Sequence, residues 1–286
     1  MKLVFFDDYR LGVLRDDGVV DVSGAVADLH HHSAQAHSAQ ALLNQVIAGW
    51  DDCRDAIASA AASGSARPVD QVTLRPPVPR PGQLVCLAGN YIEPDHPEKE
   101  TFNAFLKSPT SVMTTGDTVE LADADATVFH FEPEFALVMG KPAAKLAPED
   151  ALGRIFGYTQ FMDVSARGLP GGFFLGKSWH TFGPMGPVLV TADEIPDPNA
   201  LGMRLWVNDN LKHDVNTGEM ARHVPELLAE VTAVVALEPG DVVSTGTHHY
   251  ALSPIQDGDV VRMSIEGLGP ELSVDVTDPR KRTWDR

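Results

Sequence analysis

The residues best suited to chemistry in this 286-residue chain lie in four short stretches. The sharpest is Phe131-Glu132-Pro133-Glu134-Phe135. In an extended strand, residues i and i+2 project to one face, which sets the two carboxylates about 6–7 Å apart at Cα. Like charges at that spacing repel, and the repulsion is relieved if the strand end faces water or if a cation lies between them. Pro133 has no N–H to give to a ladder, so the pattern predicts an edge or the start of a strand. In Tyr158–Arg167 a single acid, Asp163, ends an apolar run, and Arg167 follows four residues later. Alone, that reads equally well as a helix cap beside an ion pair. Gly176-Lys177-Ser178-Trp179-His180 sets one lysine among glycines and aromatics, where a surface lysine before a turn is the plain alternative. Pro239–Thr247 reads as a turn, a strand and a hydroxyl-bearing loop, Thr245-Gly246-Thr247.

The elements that must carry these residues follow from the pattern. Leu3–Phe6, Arg10–Leu14 and Val19–Val22 read as short strands, with Asp16-Asp17-Gly18 as the turn of a hairpin. Ala41–Ala62 has helical spacing at Leu42, Leu43, Val46 and Ile47. Prolines 76, 77, 79 and 81 make an extended connector. Leu84–Ala88, Glu134–Met139 and Ile155–Met162 are strand candidates, and Pro148-Glu149-Asp150 reads as the first turn of a helix. Leu205–Lys212 reads as a hairpin about Asn208-Asp209-Asn210. Val224, Leu227, Leu228, Val231 and Val235 form one apolar face of a helix. The expected architecture is α+β and dominated by twisted antiparallel and mixed sheet. A small N-terminal α/β domain spans residues 1–75, and a larger domain spans 76–286.

Composition narrows the function. The net charge of −18 repels a phosphate backbone and disfavours anionic membrane surfaces, so neither nucleic acid nor membrane is an expected partner. An anionic substrate would need a metal or a cationic side chain to hold it. No run approaches the roughly 18 apolar residues of a membrane helix, and the apolar start of the chain is too short for a signal peptide. Cys53 and Cys86 are far apart, which predicts neither a disulfide framework nor a cysteine zinc site, and a cytoplasmic setting.

Taken in order, with Gly89-Asn90-Tyr91 and Phe105-Leu106-Lys107 upstream, these stretches resemble the fumarylacetoacetate hydrolase superfamily over roughly residues 80–280. The resemblance implies a mixed β-sandwich roll built around a divalent-metal site, usually in a homodimer. It implies Glu132, Glu134 and Asp163 as the metal ligands. Three hard oxygen donors without clustered Cys or His suit Mg²⁺ or Mn²⁺, with Ca²⁺ able to substitute in a crystal, over zinc. The implied activity is hydrolysis of a C–C bond in a 2-oxo acid or 1,3-dicarbonyl, acylpyruvate-like substrate. Decarboxylation, isomerisation or hydration of an oxo acid is the alternative. Lys177 matches a lysine that holds an oxyanion or carboxylate. Arg167, Thr247 and Tyr91 match substrate-binding positions.

Proton transfer is where the chain departs from the pattern. The loop Asn90–Glu100 carries its histidine two residues late, as His96, and Lys99 stands where a glutamate is usual. If Pro97 opens a helix, His96 and Glu100 share a face at i,i+4, so this pair is the expected base and orienter. Thr247-His248-His249 and Trp179-His180 also depart from the pattern and predict an altered pocket for a bulkier or more aromatic substrate. His248 is expected there as a substrate-binding residue, with a buried structural histidine as the alternative. The run His30-His31-His32 with His37 reads as a solvated helix or loop.

Overall fold

A computed structural model describes residues 1–29, 36–94, 97–250 and 252–286. The histidine run 30–32 and the side chain of His37 lie outside that set. The chain opens with a three-stranded meander: β1 (Lys2–Phe6), β2 (Arg10–Arg15) and β3 (Gly18–Asp21). Helices α1 (Ala36–Ala48) and α2 (Trp50–Ser63) follow, and β4 (Leu74–Arg75) returns to pair with β1. Past the proline connector come β5 (Leu84–Ala88), β6 (Asn103–Leu106), β7 (Val112–Met113), β8 (Thr118–Glu120) and the long strands β9 (Val128–Met139) and β10 (Ile155–Arg167). Next are the short helix α3 (Gly172–Lys177), then β11 (Gly183–Pro184) and β12 (Leu189–Thr191). The hairpin β13 (Gly202–Val207) and β14 (Asn210–Asn216), helix α4 (Val224–Val234), and strands β15 (Val242–Ser244), β16 (Val260–Ile265) and β17 (Leu272–Thr277) complete the chain.

These strands make a ten-stranded sheet in the order β3-β2-β1-β12-β10-β9-β15-β5-β6, with β4 beside β1, and a five-stranded sheet β14-β13-β16-β17-β8. Both are mixed: β15–β5 and β17–β8 pair parallel, and the remaining pairs within these sheets are antiparallel. Among the described residues no helix is long and apolar enough to cross a membrane.

Strand β9 sets the layering, because alternate residues face opposite ways. Phe129, Phe131, Phe135, Leu137 and Met139 pack against Met203, Leu205, Val261, Met263, Leu272 and Val274 of the smaller sheet, which makes the sandwich core. Ala136 and Val138 face the other way, into the layer formed with Leu42, Leu43, Val46 and Ile47 of α1. Glu132 and Glu134 share that second face, beyond the part covered by the helices.

Two expectations need correction. Pro133 is neither at a sheet edge nor at a strand start; it stands in the middle of β9, opposite Met162 of β10. It is tolerated because β15, on the other flank, pairs only with Ala136–Val138, so no ladder donor is demanded of Pro133 there. The segment from Pro148 does not build an α-helix. It makes two single 3₁₀ turns, Pro148–Asp150 and Leu152–Arg154, before β10 begins. Seven residues are too few to recover the cost of nucleating a helix, and Ile155-Phe156 are drawn into the sheet.

Candidate active site

The register of β9 against β10 assembles the acidic cluster. Glu132 stands directly opposite Asp163 and Glu134 opposite Phe161, so Glu132, Glu134 and Asp163 share a face. All three are buried, and each offers a carboxylate oxygen within 4.8 Å of the others. Three buried like charges would unravel the ladder unless compensated. The compensation comes from three cations. Lys177, in the last turn of α3, donates to Glu132 Oε2 at 2.6 Å and to Asp163 Oδ2 at 2.5 Å. Lys107, wholly buried at the end of β6, donates to Asp163 Oδ1 at 2.6 Å. Arg167, on the same face of β10, donates to Glu132 Oε1 at 2.5 Å.

The two glutamates are shifted in opposite directions. Burial raises the pKa of Glu132, but the charges of Lys177 and Arg167, with hydrogen bonds from Lys177 and Ser165, bring it down to about 2. For Glu134, burial is joined by the repulsion of Asp163 and Glu132, and its carboxyl is held well above the usual range. Ser244 and the Gly246 N–H donate to its Oε2, and Oε1 is buried without a partner. For Lys177, burial is outweighed by Asp163, Glu132 and Glu134, so its ammonium is favoured beyond the ordinary lysine value.

The rim is built from the loops after β5 and β15. Asn90 Nδ2 donates to the carbonyls of Thr245 (2.9 Å) and Arg222 (3.3 Å), and Asn90 Oδ1 accepts from Arg222 N (3.0 Å). Arg222, itself buried, ion-pairs with Glu230 at 2.6 Å and donates to the Glu100 main-chain carbonyl at 2.7 Å. One asparagine and one arginine thus tie three separate segments together. Tyr91 is buried, and burial raises its phenol against the opposing effect of the neighbouring Thr245 hydroxyl. Thr247 is buried, with its hydroxyl unpartnered. His248 lies beside Tyr91, ring centroids 6.4 Å apart, and its Nδ1 has no partner. His249 is latched to Glu93, whose Oε1 accepts from its main-chain N at 2.7 Å.

Of the expected base pair, His96 lies outside the described residues. Glu100 is described, and no helix starts at Pro97: residues 97–100 are irregular, so the i,i+4 argument does not apply to them. Glu100 instead lies against Gly89, whose φ of +66° admits it; a Cβ at Gly89 would collide with the Glu100 carboxylate.

Sequence reasoning named no role for Lys107, Ser165 or Ser244, each bonded to one of the three acids. Only Lys107 left a signal, a lysine closing the apolar Asn103–Leu106 strand. The serines are invisible until the register is known. His213 was also missed; it is buried on β14 with both ring nitrogens unpartnered.

Comparison with known proteins places this geometry. The family model for the C-terminal domain of fumarylacetoacetate (FAA) hydrolase matches residues 83–274. An oxaloacetate tautomerase of Bacillus subtilis (strain 168) is 32% identical over 222 residues, 70% of this chain and 72% of that protein. The crystal structure of a maleylpyruvate hydrolase from Sphingobium sp. SYK-6 superposes with a TM-score of 0.86 at 33% identity, covering 97% of this chain and 100% of the other. A further structure of that hydrolase, in complex with manganese(II) and pyruvate, matches equally well over 97% of this chain and 99% of its own. A 2-hydroxyhepta-2,4-diene-1,7-dioate isomerase from Mycobacterium marinum superposes with a TM-score of 0.68 at 34% identity, over 76% of this chain and 82% of the other. The match across most of the chain, on an α+β fold shared with these enzymes, makes this protein a member of the fumarylacetoacetate hydrolase family.

Proposed function

We propose that this chain is a divalent-metal-dependent hydrolase that cleaves a C–C bond in a 2-oxo acid or 1,3-dicarbonyl, acylpyruvate-like substrate. The observation that carries the reading is the buried set Glu132, Glu134 and Asp163, with carboxylate oxygens within 4.8 Å of one another and Glu134 Oε1 left without a partner. The donor set fits a hard cation, Mg²⁺ or Mn²⁺. The related hydrolase with manganese(II) and pyruvate supports the same assignment. A divalent ion held there supplies a Lewis acid for a polarised carbonyl and for the negative charge of an enolate.

The chain's own groups supply the rest. Lys177, charged and buried, donates hydrogen bonds toward a substrate carboxylate or developing oxyanion. Arg167 reaches the rim from β10 and offers a second cation to an oxygen of the substrate. Tyr91, Thr247 and His248 orient the acyl portion. In hydrolysis, water adds to the acyl carbonyl, the C–C bond breaks with its electron pair on the pyruvyl side, and a proton is delivered to that carbon. The base that takes the proton from water is assigned to His96, with Glu100 as its orienter. The test is an assay of acylpyruvates with Mg²⁺ or Mn²⁺ and product identification by mass. Pyruvate plus the matching carboxylic acid is the expected outcome, and loss of divalent-ion binding in Glu134→Gln is the expected control.

One observation favours a second reading. Residues 97–100 are irregular, so the helical spacing expected to support Glu100 as orienter of a base is not formed by them. Tautomerisation, isomerisation or decarboxylation of an oxo acid needs enolate stabilisation but no activated water. His96→Ala separates the two: hydrolysis collapses, whereas an enolate-forming reaction persists.

A further inference from the structure

One histidine of the acidic face is unused by the chemistry above. Alternation along β9 puts His130 on the same face as Glu132 and Glu134, because Phe129 and Phe131 on either side of it enter the sandwich core. Across the ladder it stands opposite Ser165, whose hydroxyl donates to Glu132 Oε1 at 2.6 Å. Its main chain is held on the other flank too: His130 bridges to Pro254, and Ile255 N donates to the Phe129 carbonyl at 3.1 Å. Arg167 starts further out, opposite Val128, and reaches back to Glu132 Oε1, so its side chain passes the Ser165–His130 pair. Arg167, Glu132, Lys177 and His249 are the charged or titratable groups that bear on the His130 ring.

Burial falls off along this row. Glu134, Glu132, Asp163 and Ser165 are buried, whereas His130 is half-buried and the Arg167 side chain is 38% exposed. In the other direction Ala136 and Val138 lie in the layer formed with α1. The open end of the row is therefore the His130 and Arg167 end, and His130 is one same-face step, about 6–7 Å at Cα, from Glu132. His130 Nδ1 is buried without a partner. A buried lone pair is better tolerated than a buried N–H, which places the hydrogen on Nε2 and makes the ring a donor. A donor beside a guanidinium suits a carboxylate. The charges agree. Glu132, Glu134 and Asp163 meet Lys107, Lys177 and Arg167, three against three. A divalent ion adds two positive charges, which a doubly anionic substrate balances.

We propose that His130 is a specificity-determining residue: with Arg167 it receives a second carboxylate, at the far end of the substrate from the oxo-acid group held at Glu132, Glu134 and Asp163. The proposal rests on the metal-dependent oxo-acid reading above and adds that the substrate is an oxo-diacid.

The test uses two chain-matched oxo acids that cannot undergo the cleavage, 2-oxohexanoate and 2-oxoadipate, which differ in the second carboxylate. Each is titrated calorimetrically into the Mn²⁺-loaded protein, as wild type, His130→Phe and His130→Gln. The wild type is expected to bind 2-oxoadipate at least about tenfold more tightly than 2-oxohexanoate, the effect of charge-assisted hydrogen bonds. In His130→Phe, which keeps a planar ring and loses the donor, that ratio is expected to fall at least about fivefold, with 2-oxohexanoate and Mn²⁺ affinities within about twofold of wild type. His130→Gln, whose amide restores a donor, is expected to recover most of the ratio. If His130→Phe fails to fold, His130→Leu takes its place. A wild-type ratio near one, a ratio unchanged without the imidazole, or a loss that falls equally on both acids overturns the subsite. If neither acid binds while Mn²⁺ itself binds, the oxo-acid reading fails and the subsite with it.

Discussion

Glu132 and Asp163 face each other across the β9–β10 ladder, and the Lys177 ammonium donates to both, at 2.6 and 2.5 Å. The lysine is therefore a structural counter-charge as well as a candidate for catalysis. Removing it leaves two carboxylates buried and under-compensated. Lys177→Met is expected to destabilise the metal-free protein by about 3–5 kcal/mol, read as a lower midpoint in chemical denaturation. Added Mn²⁺, able to take over part of the compensation, should recover much of the loss. A variant as stable as wild type without metal would show that the ion pairs contribute little.

The raised carboxyl of Glu134 couples metal binding to protons. Burial and the repulsion of Asp163 and Glu132 shift it toward its protonated form, whereas a metal ligand must be ionised. Binding of Mn²⁺ should therefore be accompanied by proton release, and affinity should climb with pH, by at most about tenfold per pH unit. Calorimetry in buffers of different ionisation enthalpy measures the proton directly. Equal apparent enthalpies in all buffers would contradict the assignment.

The contrast between the two glutamates shows what a sequence can and cannot say. Glu-Pro-Glu with alternating aromatics gives the shared face of Glu132 and Glu134, because alternation in a strand depends only on local geometry. The hairpin at Asn208-Asp209 and helix α4 were legible for the same reason. Asp163 lies 31 residues from Glu132, a separation read off the numbering, and its position opposite Glu132 is set by register over the whole β9–β10 ladder. Lys107 and Ser244 reach the cluster only through the crossovers that bring β6 and β15 into the sheet. Pro133 was misread because local rules cannot see that β15 stops pairing before it.

His213 predicts an acid limb in stability that is separate from catalysis. Burial, then His248 and His249, lower its pKa to about 4, from an ordinary 6.5. Between those values the unfolded chain binds the proton that the folded one refuses, so stability is fully present above pH 6.5 and drains away as pH falls toward 4. The span corresponds to about 3 kcal/mol. As pH drops from 7 to 4.5 the denaturation midpoint of His213→Leu should fall less than that of wild type, giving the variant the flatter profile. Parallel profiles would mean that the ring is hydrated enough to titrate normally.

Gly89 tests whether the irregular segment Pro97–Glu100 matters to turnover. Its φ of +66° lies in the left-handed region, and a side chain there would strike the Glu100 carboxylate. Gly89→Ala thus carries backbone strain of about 1–3 kcal/mol and also displaces Glu100, whose main-chain carbonyl is anchored by Arg222. If Glu100 orients the base, kcat on an acylpyruvate should fall at least tenfold, well beyond what the modest drop in Tm explains, while Mn²⁺ affinity stays near wild type because the acidic cluster lies on β9 and β10. Gly89→Asn tolerates the same φ but keeps the collision, so it separates the two contributions. Turnover close to wild type in Gly89→Asn, with the loss confined to Gly89→Ala, would assign the effect to the backbone and remove Glu100 from the chemistry.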